Sequence, residues 1–354
     1  MPSTSMHALV LTTPGEVQNQ TVPVPASPVS DQVLIEVTRA GICGSELEAI
    51  HSKSPRRVPP LIMGHEFAGR VAALGPEAQN AGWHVGDRVV PNPLVPCGRC
   101  RACTRGLTNA CPNRTLDGLH HHGGHAELAL VHAGQLHRLP DALSDDAAAA
   151  AEPLAVSIHA VRLLEAQALL PEAVLIFGAG TIGLLVLQVA RLAGAAHTVV
   201  MDVDPNRLDV AKRLGATHTL DPRTAEGSPE SLVRLGDELT GFGFDAALDC
   251  VGRSDVRAAA LRAVSPGGTV VWIGQAEEIV TVNGGELLRN ERRIQGSYGY
   301  TAEDFSKAVA ALAAGRIDTT SWSDTYPLST SAGLIERLLE HKEPCIKALL
   351  DPSA

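Results

Sequence analysis

The segment Ala173-Val-Leu-Ile-Phe-Gly-Ala-Gly-Thr-Ile-Gly183 constrains the fold of this chain more than any other stretch. Five apolar residues, a glycine-rich turn and a helix-forming run follow one another without a break. That is the order of a buried parallel strand feeding a helix. Gly178, Gly180 and Gly183 supply G-x-G-x-x-G. The first glycine allows the tight turn, the second lets a pyrophosphate approach the backbone, and the third lets the helix pack on the strand. The helix N-terminus then holds the anion.

A glycine turn alone is a weak signal, because an α/β fold can contain one without binding a nucleotide. Its setting strengthens it. A strand precedes it, the apolar helix Thr181–Leu192 follows, and Asp202 stands nineteen residues beyond Gly183 at the end of the next apolar run, His197–Asp202. An acid there accepts hydrogen bonds from both ribose hydroxyls and repels a 2′-phosphate, which favours NAD over NADP. Arg207, five residues further on, could stack on adenine or help hold a phosphate.

The alternation continues with a helix at Pro205–Leu214, strands at Phe244–Asp249 and Thr269–Ile273, and helices near Pro229–Leu239 and Asp255–Ala263. Such a run builds a doubly wound parallel sheet. The flanks differ. Before Glu152, short apolar or alternating runs recur at His7–Thr12, Val33–Val37, Phe67–Leu74, Asp87–Val90 and His125–Val131, separated by glycine and proline. After Gln295 come helices at Ala302–Ala314 and Ala332–Leu339 and a strand at Ile346–Leu350. A length of 354 residues suits two domains of ordinary size.

Cys97, Cys100, Cys103 and Cys111 form C-x2-C-x2-C-x7-C. Four thiolates on one short loop can close a tetrahedral zinc site. Cysteines three apart make poor disulfides, and a fourth cysteine seven residues on suits an iron–sulfur cluster less well. Structural zinc is therefore the favoured reading over these two. A formal charge of −10 argues against nucleic acid as a partner. No apolar window is long enough to span a membrane, and MPSTSMHALVL lacks the pattern of a signal peptide, so a cytoplasmic protein is expected.

Three further motifs carry chemistry: Gly41-Ile-Cys-Gly-Ser-Glu46, Gly64-His-Glu-Phe-Ala-Gly69 and Glu152-Pro-Leu-Ala-Val156. Cys43, His65 and a carboxylate from Glu66 or Glu152 would give a mixed zinc site with one position open, the mark of a catalytic rather than a structural metal. Taken one at a time, a cysteine reads as core and a glutamate as solvated surface.

Together with the four-cysteine loop and the glycine turn, these motifs resemble the zinc-containing medium-chain dehydrogenase/reductase family, in its polyol (sorbitol-type) and threonine dehydrogenase branches, across essentially the whole chain. The resemblance implies a GroES-like β-rich catalytic domain over residues 1–152, with the structural zinc loop at 96–112. It implies a Rossmann domain over 153–294 and a return to the catalytic domain over 295–354. On the family pattern Cys43 and His65 are ligands of a catalytic zinc, Glu66 binds or exchanges with water, and Glu152 stands where other branches carry a cysteine ligand. Gly178, Gly180, Thr181, Ile182, Gly183, Asp202, Arg207, Val251 and Gly274 would hold the dinucleotide. Ser45 fits the family's hydroxyl relay. The implied reaction is reversible hydride transfer between a secondary alcohol, polyol or sugar-like substrate and NAD, in a homodimer or homotetramer.

Several positions depart from the family pattern. Glu46 replaces the usual aspartate that holds the ligand histidine, and Lys347 is its expected basic partner. Glu48 replaces a relay histidine, with His51 three residues later as a substitute. Gly299 stands where polyol enzymes carry arginine. Arg56 and Arg57 could serve an anionic substrate, such as a sugar phosphate or the carboxylate of threonine. His120, His121, His122 and His125 are expected to edge the substrate cleft. A non-enzymatic alternative is a zinc-stabilised NAD-binding sensor.

Overall fold

The computed structural model describes residues 4–165 and 172–354. The chain divides into two compact units, Met1–Glu152 with Thr301–Ala354, and Pro153–Tyr300.

In the first unit, β1 (Ser5–Thr13) pairs antiparallel with β2 (Glu16–Pro23) and, at Val10 and Leu11, with the short β4 (Leu61–Ile62). The larger sheet centres on β3 (Gln32–Gly41), whose Val33, Ile35 and Val37 are buried while Glu36 is exposed. That alternation turns one face into the core, where Phe67, Val71, Leu328, Leu334 and Leu350 meet it. β3 pairs antiparallel with β5 (Glu66–Leu74), β9 (Leu128–His132) and β18 (Lys347–Asp351). Beyond β5 lie β6 (Arg88–Pro91) and β10 (Leu136–Arg138); beyond β18 lies β17 (Ser323–Pro327). A two-stranded patch, β7 (Leu94–Val95) with β8 (Thr115–Leu116), brackets the cysteine loop. The strand expected from His125 begins only at Leu128. His125 and Ala126 are taken by other partners: the His125 N–H donates to the Met63 carbonyl, and Ala126 bridges to Ala8.

The second unit is a six-stranded parallel sheet of β11 (Ala173–Phe177), β12 (His197–Met201), β13 (His218–Leu220), β14 (Phe244–Asp249), β15 (Val264–Trp272) and β16 (Arg293–Gly296). Its order is β13-β12-β11-β14-β15-β16. β11 is buried end to end and β12 at every residue after His197, as parallel strands covered on both faces must be. The direction of travel reverses between β11 and β14, and ligands of such sheets bind at that point, beyond the carboxyl ends of the strands. β16 corrects the expected boundary. Its residues Arg293–Gly296 extend the parallel ladder on β15, so the chain stays in the second unit past 295 and returns at Thr301.

Candidate active site

Sheet register assembles a candidate metal centre in the first unit. Gly41, the last residue of β3, pairs with Glu66, the first of β5. Cys43 lies two residues past one strand and His65 one residue before the other, so antiparallel pairing brings the two motifs together. The donor atoms of Cys43, His65 and Glu66 all lie within 4.8 Å of one another. A thiolate, an imidazole and a carboxylate suit zinc and leave one tetrahedral position for a substrate oxygen.

Glu46 supports this set from below. It sits fully buried in the first turn of the helix Gly44–His51. Its Oε2 accepts the Cys43 N–H at 3.1 Å, and its Oε1 accepts the Gly64 N–H at 2.8 Å and faces Nδ1 of His65 at 3.1 Å. Burial favours the neutral acid, but His125, His65 and Arg57 outweigh it and hold the carboxyl well below its usual range. A carboxylate only accepts, so Nδ1 of His65 carries the hydrogen and Nε2 keeps its lone pair for a metal. Burial also opposes charge on His65, yet Glu46 and Cys43 raise its pKa well above the ordinary value. Surroundings that favour a proton there also favour a dication.

The predicted partners differ in three respects. Lys347 pairs with Glu66 rather than Glu46, and its Nζ also donates to the Ile42 carbonyl at 2.9 Å. The cause is register: Leu349 of β18 sits opposite Gly41, which itself faces Glu66. Glu152 is half-buried at the start of the helix Ala151–Glu165 and is not part of the three-donor cluster. His125 does not edge a cleft. It is fully buried, with Nε2 3.1 Å from the Gly41 carbonyl and 3.7 Å from Oε2 of Glu46. His120, His121 and His122 are exposed. Arg57 is buried and donates to the Gly118 carbonyl, whereas Arg56 is exposed. Ser45 donates its hydroxyl to the Cys43 sulfur at 3.2 Å. Glu48 and His51 are exposed on the same helix, and neither side chain hydrogen-bonds to Ser45.

The four loop cysteines form a second cluster with donor atoms within 4.8 Å of one another. Cys100 Sγ lies 3.5 Å from Cys103 Sγ and 3.7 Å from Cys111 Sγ. A disulfide needs about 2 Å, whereas sulfurs around zinc at about 2.3 Å stand roughly 3.8 Å apart. The spacing therefore fits a metal and not a bridge. Backbone N–H groups of Arg99 and Cys100 lower the Cys97 thiol to about 6, while burial and the neighbouring thiols push Cys103 up to about 12.

In the second unit the glycine turn has the shape that an anion needs. Gly178 has φ +91°, and a Cβ on Gly183 would lie 1.7 Å from the Gly178 carbonyl oxygen. Only glycine permits that strand–helix contact. Among the described residues no side chain caps the helix Thr181–Leu192 at Gly180, and a helix N-terminus of this kind suits a pyrophosphate. The Asp202 carboxylate accepts the Ala179 N–H at 2.7 Å and the Asp204 N–H at 2.9 Å, which fixes it beside the turn.

Sequence reading missed the device that holds Val251 and Gly274. Asp249 Oδ1 accepts the Val251 and Gly252 N–H groups at 2.9 and 2.8 Å, and Oδ2 accepts Arg257 Nε at 3.0 Å. Arg257 also donates to the Gly274 carbonyl at 2.8 Å. Nothing in the spacing of Asp249 and Arg257 distinguishes them from an ordinary strand end and helix face.

An open mixed-donor metal centre together with a dinucleotide turn defines a metal-dependent nicotinamide oxidoreductase. Residues 29–141 match the family model for the alcohol dehydrogenase GroES-like domain, and 181–314 match that for zinc-binding dehydrogenase. The chain is 33% identical over 358 residues to sorbitol dehydrogenase of Bacillus subtilis (strain 168), covering 99% of this chain and 98% of the relative. It is 31% identical over 291 residues to L-threonine 3-dehydrogenase of Pectobacterium carotovorum subsp. carotovorum (strain PC1), covering 81% and 82%. The crystal structure of galactitol-1-phosphate dehydrogenase from Escherichia coli superimposes with a TM-score of 0.89 at 26% identity, covering 98% of this chain and all of that one. The chain belongs to the zinc-containing medium-chain alcohol dehydrogenase family.

Proposed function

We propose that this protein oxidises a secondary alcohol, polyol or sugar-like substrate to the ketone, reversibly, with NAD preferred over NADP. The observation that carries this reading is the cluster of Cys43, His65 and Glu66, with its ligand histidine oriented by a buried, ionised Glu46. When bound, zinc would lower the pKa of a coordinated alcohol, and nicotinamide would accept the hydride.

The chain's own residues do the rest. Cys43, His65 and Glu66 bind the metal, and Glu46 fixes the imidazole tautomer. Lys347 holds Glu66 in place and partly offsets its charge. The Ser45 hydroxyl, against the Cys43 sulfur and exposed at the helix start, is placed to relay the alcohol proton by passing its own on to solvent. The four-cysteine loop would hold a second, structural zinc. Asp202 receives the ribose hydroxyls and disfavours a 2′-phosphate. Of the two arginines that could hold the carboxylate of threonine, Arg57 is buried on the Gly118 carbonyl and only the exposed Arg56 remains, which weighs towards a polyol.

The outer edge of β16 pairs with no other strand among the described residues. Pairing of two copies there would give the expected homodimer, or a tetramer of two such pairs. Light scattering after gel filtration would show a single chain mass if that assembly does not form.

The decisive experiment is zinc content per subunit together with a screen of secondary alcohols, polyols, sugar phosphates and L-threonine with NAD and NADP. Two zinc ions and NAD-linked oxidation of a polyol are expected. Full zinc loading and NAD binding without oxidation of any alcohol would overturn the enzyme reading in favour of a sensor.

A further inference from the structure

Arg223 follows β13 by three residues and belongs to no motif in the sequence. Its guanidinium is nevertheless firmly placed. Nε lies 2.9 and 3.1 Å from the two carboxylate oxygens of Asp221, and Nη2 donates to Asp221 Oδ2 and to the Val203 carbonyl, each at 2.6 Å. Val203 is the residue after Asp202. Two of the three guanidinium nitrogens thus dock Arg223 onto the loop that carries the ribose-binding acid. Hydrogen bonds to Asp221 are the main support of its charge, and the Asp202 carboxylate adds to it.

The third nitrogen, Nη1, carries two N–H groups that no described protein atom accepts. Holding the loop needs only Nε and Nη2, so this edge is left over for something else. A second guanidinium stands nearby in the chain. Arg207 Nε lies 3.7 Å from Asp204 Oδ2, and its Nη1 is 4.0 Å from where a Cβ on Gly180 would be, so it overhangs the pyrophosphate turn. Asp202 itself is partly offset, since each of its oxygens already accepts a backbone N–H.

We infer that Arg223 is a specificity residue whose Nη1 edge receives a phosphate monoester on the 2′ position of the adenosine ribose, so that the site accepts NADP as well as NAD despite Asp202. The inference rests on the dinucleotide reading proposed above and narrows its preference for NAD to a modest one. A guanidinium offering two N–H groups to a phosphate dianion makes short charge-assisted bonds, and although Asp221 and Asp202 both lie near that charge, Asp221 occupies only the Nε and Nη2 edge and leaves the Nη1 donors to a phosphate.

The test is calorimetric titration of the full-length zinc-loaded protein with 5′-AMP and with adenosine 2′,5′-bisphosphate, which differ only in the 2′-phosphate. The wild type is expected to bind the two within about tenfold of each other. Arg223→Ala is expected to weaken the bisphosphate roughly tenfold while moving AMP by less than about twofold, and Arg223→Lys to restore part of the loss. Equal weakening of both ligands by Arg223→Ala would reduce Arg223 to a loop staple and overturn the inference. So would refusal of the bisphosphate by the wild type while AMP binds. Failure of both ligands to bind would overturn the inference and the dinucleotide reading together.

Discussion

Oε1 of Glu46 lies 3.1 Å from Nδ1 of His65, and both side chains are shut away from water. The contact fixes which imidazole nitrogen is left to face a metal. Oε1 also accepts the Gly64 N–H, and Oε2 accepts the Cys43 N–H, so one carboxylate ties both ligand-bearing segments together.

Glu46→Gln keeps the shape but removes the charge and can present an N–H to the ring. Partners of this kind are worth about 10- to 100-fold in metal affinity or activity. Chelator competition on the purified variant is expected to show a loss in that range at one of two zinc sites. Wild-type zinc retention in Glu46→Gln would mean that His65 is oriented by something else.

Cys43→Ala and Cys103→Ala are expected to separate the two metal sites. The first should remove one zinc per subunit and nearly all turnover with little change in melting temperature. The second should remove the other zinc and lower the melting temperature, because a structural site contributes folding energy directly. Metal analysis and thermal denaturation of the two variants, run side by side, check this. A Cys103→Ala protein as stable as wild type would count against structural zinc.

Arg257 and Asp249 form a buried pair, 3.0 Å apart, that also anchors the Val251 and Gly274 backbone. Arg257→Leu strands a buried carboxylate, and the expected cost is about 3 kcal/mol or more. A urea midpoint unchanged from wild type would show that water reaches Asp249 and replaces the guanidinium. Nucleotide affinity should fall as well, since Val251 packs against Gly178.

Burial lifts Asp117 to about 6, against an ordinary 3.8, although Gln135 donates to its carboxylate at 2.7 Å. The folded state therefore prefers the protonated acid. Its contribution to stability is full below the unfolded pKa and is lost as pH rises through about 6. Asp117→Asn removes this titration while keeping an acceptor for Gln135. The variant should gain on the wild type by something on the order of 2 kcal/mol at pH 8, with the gap narrowing towards pH 4. Denaturation midpoints at several pH values report this, and a gap independent of pH would contradict it.

Much of the fold was legible because its signals are local. Ala173–Phe177 is continuously apolar and Gly178 and Gly183 punctuate it, so strand, turn and helix are written in adjacent residues. The loop Cys97–Cys111 is likewise a short-range pattern. Strands such as Glu16–Pro23 escaped notice because their residues are largely polar and exposed, and they are held by pairing with Ser5–Thr13 rather than by their own pattern.

The sequence by itself determined which chemical groups are present and which short segments carry them: Cys43 beside Ser45, His65 beside Glu66, Asp202 after its strand. Tertiary structure alone decided who faces whom. That Lys347 meets Glu66 rather than Glu46, that His125 is buried beside Gly41 and Glu46, that Glu152 stands outside the donor cluster and that Arg223 reaches the loop of Asp202 all depend on sheet register and on loops brought together across long separations. Periodicity carries no information about such pairings, because register is fixed by the whole hydrophobic pattern of both strands and not by the residues that end up in contact.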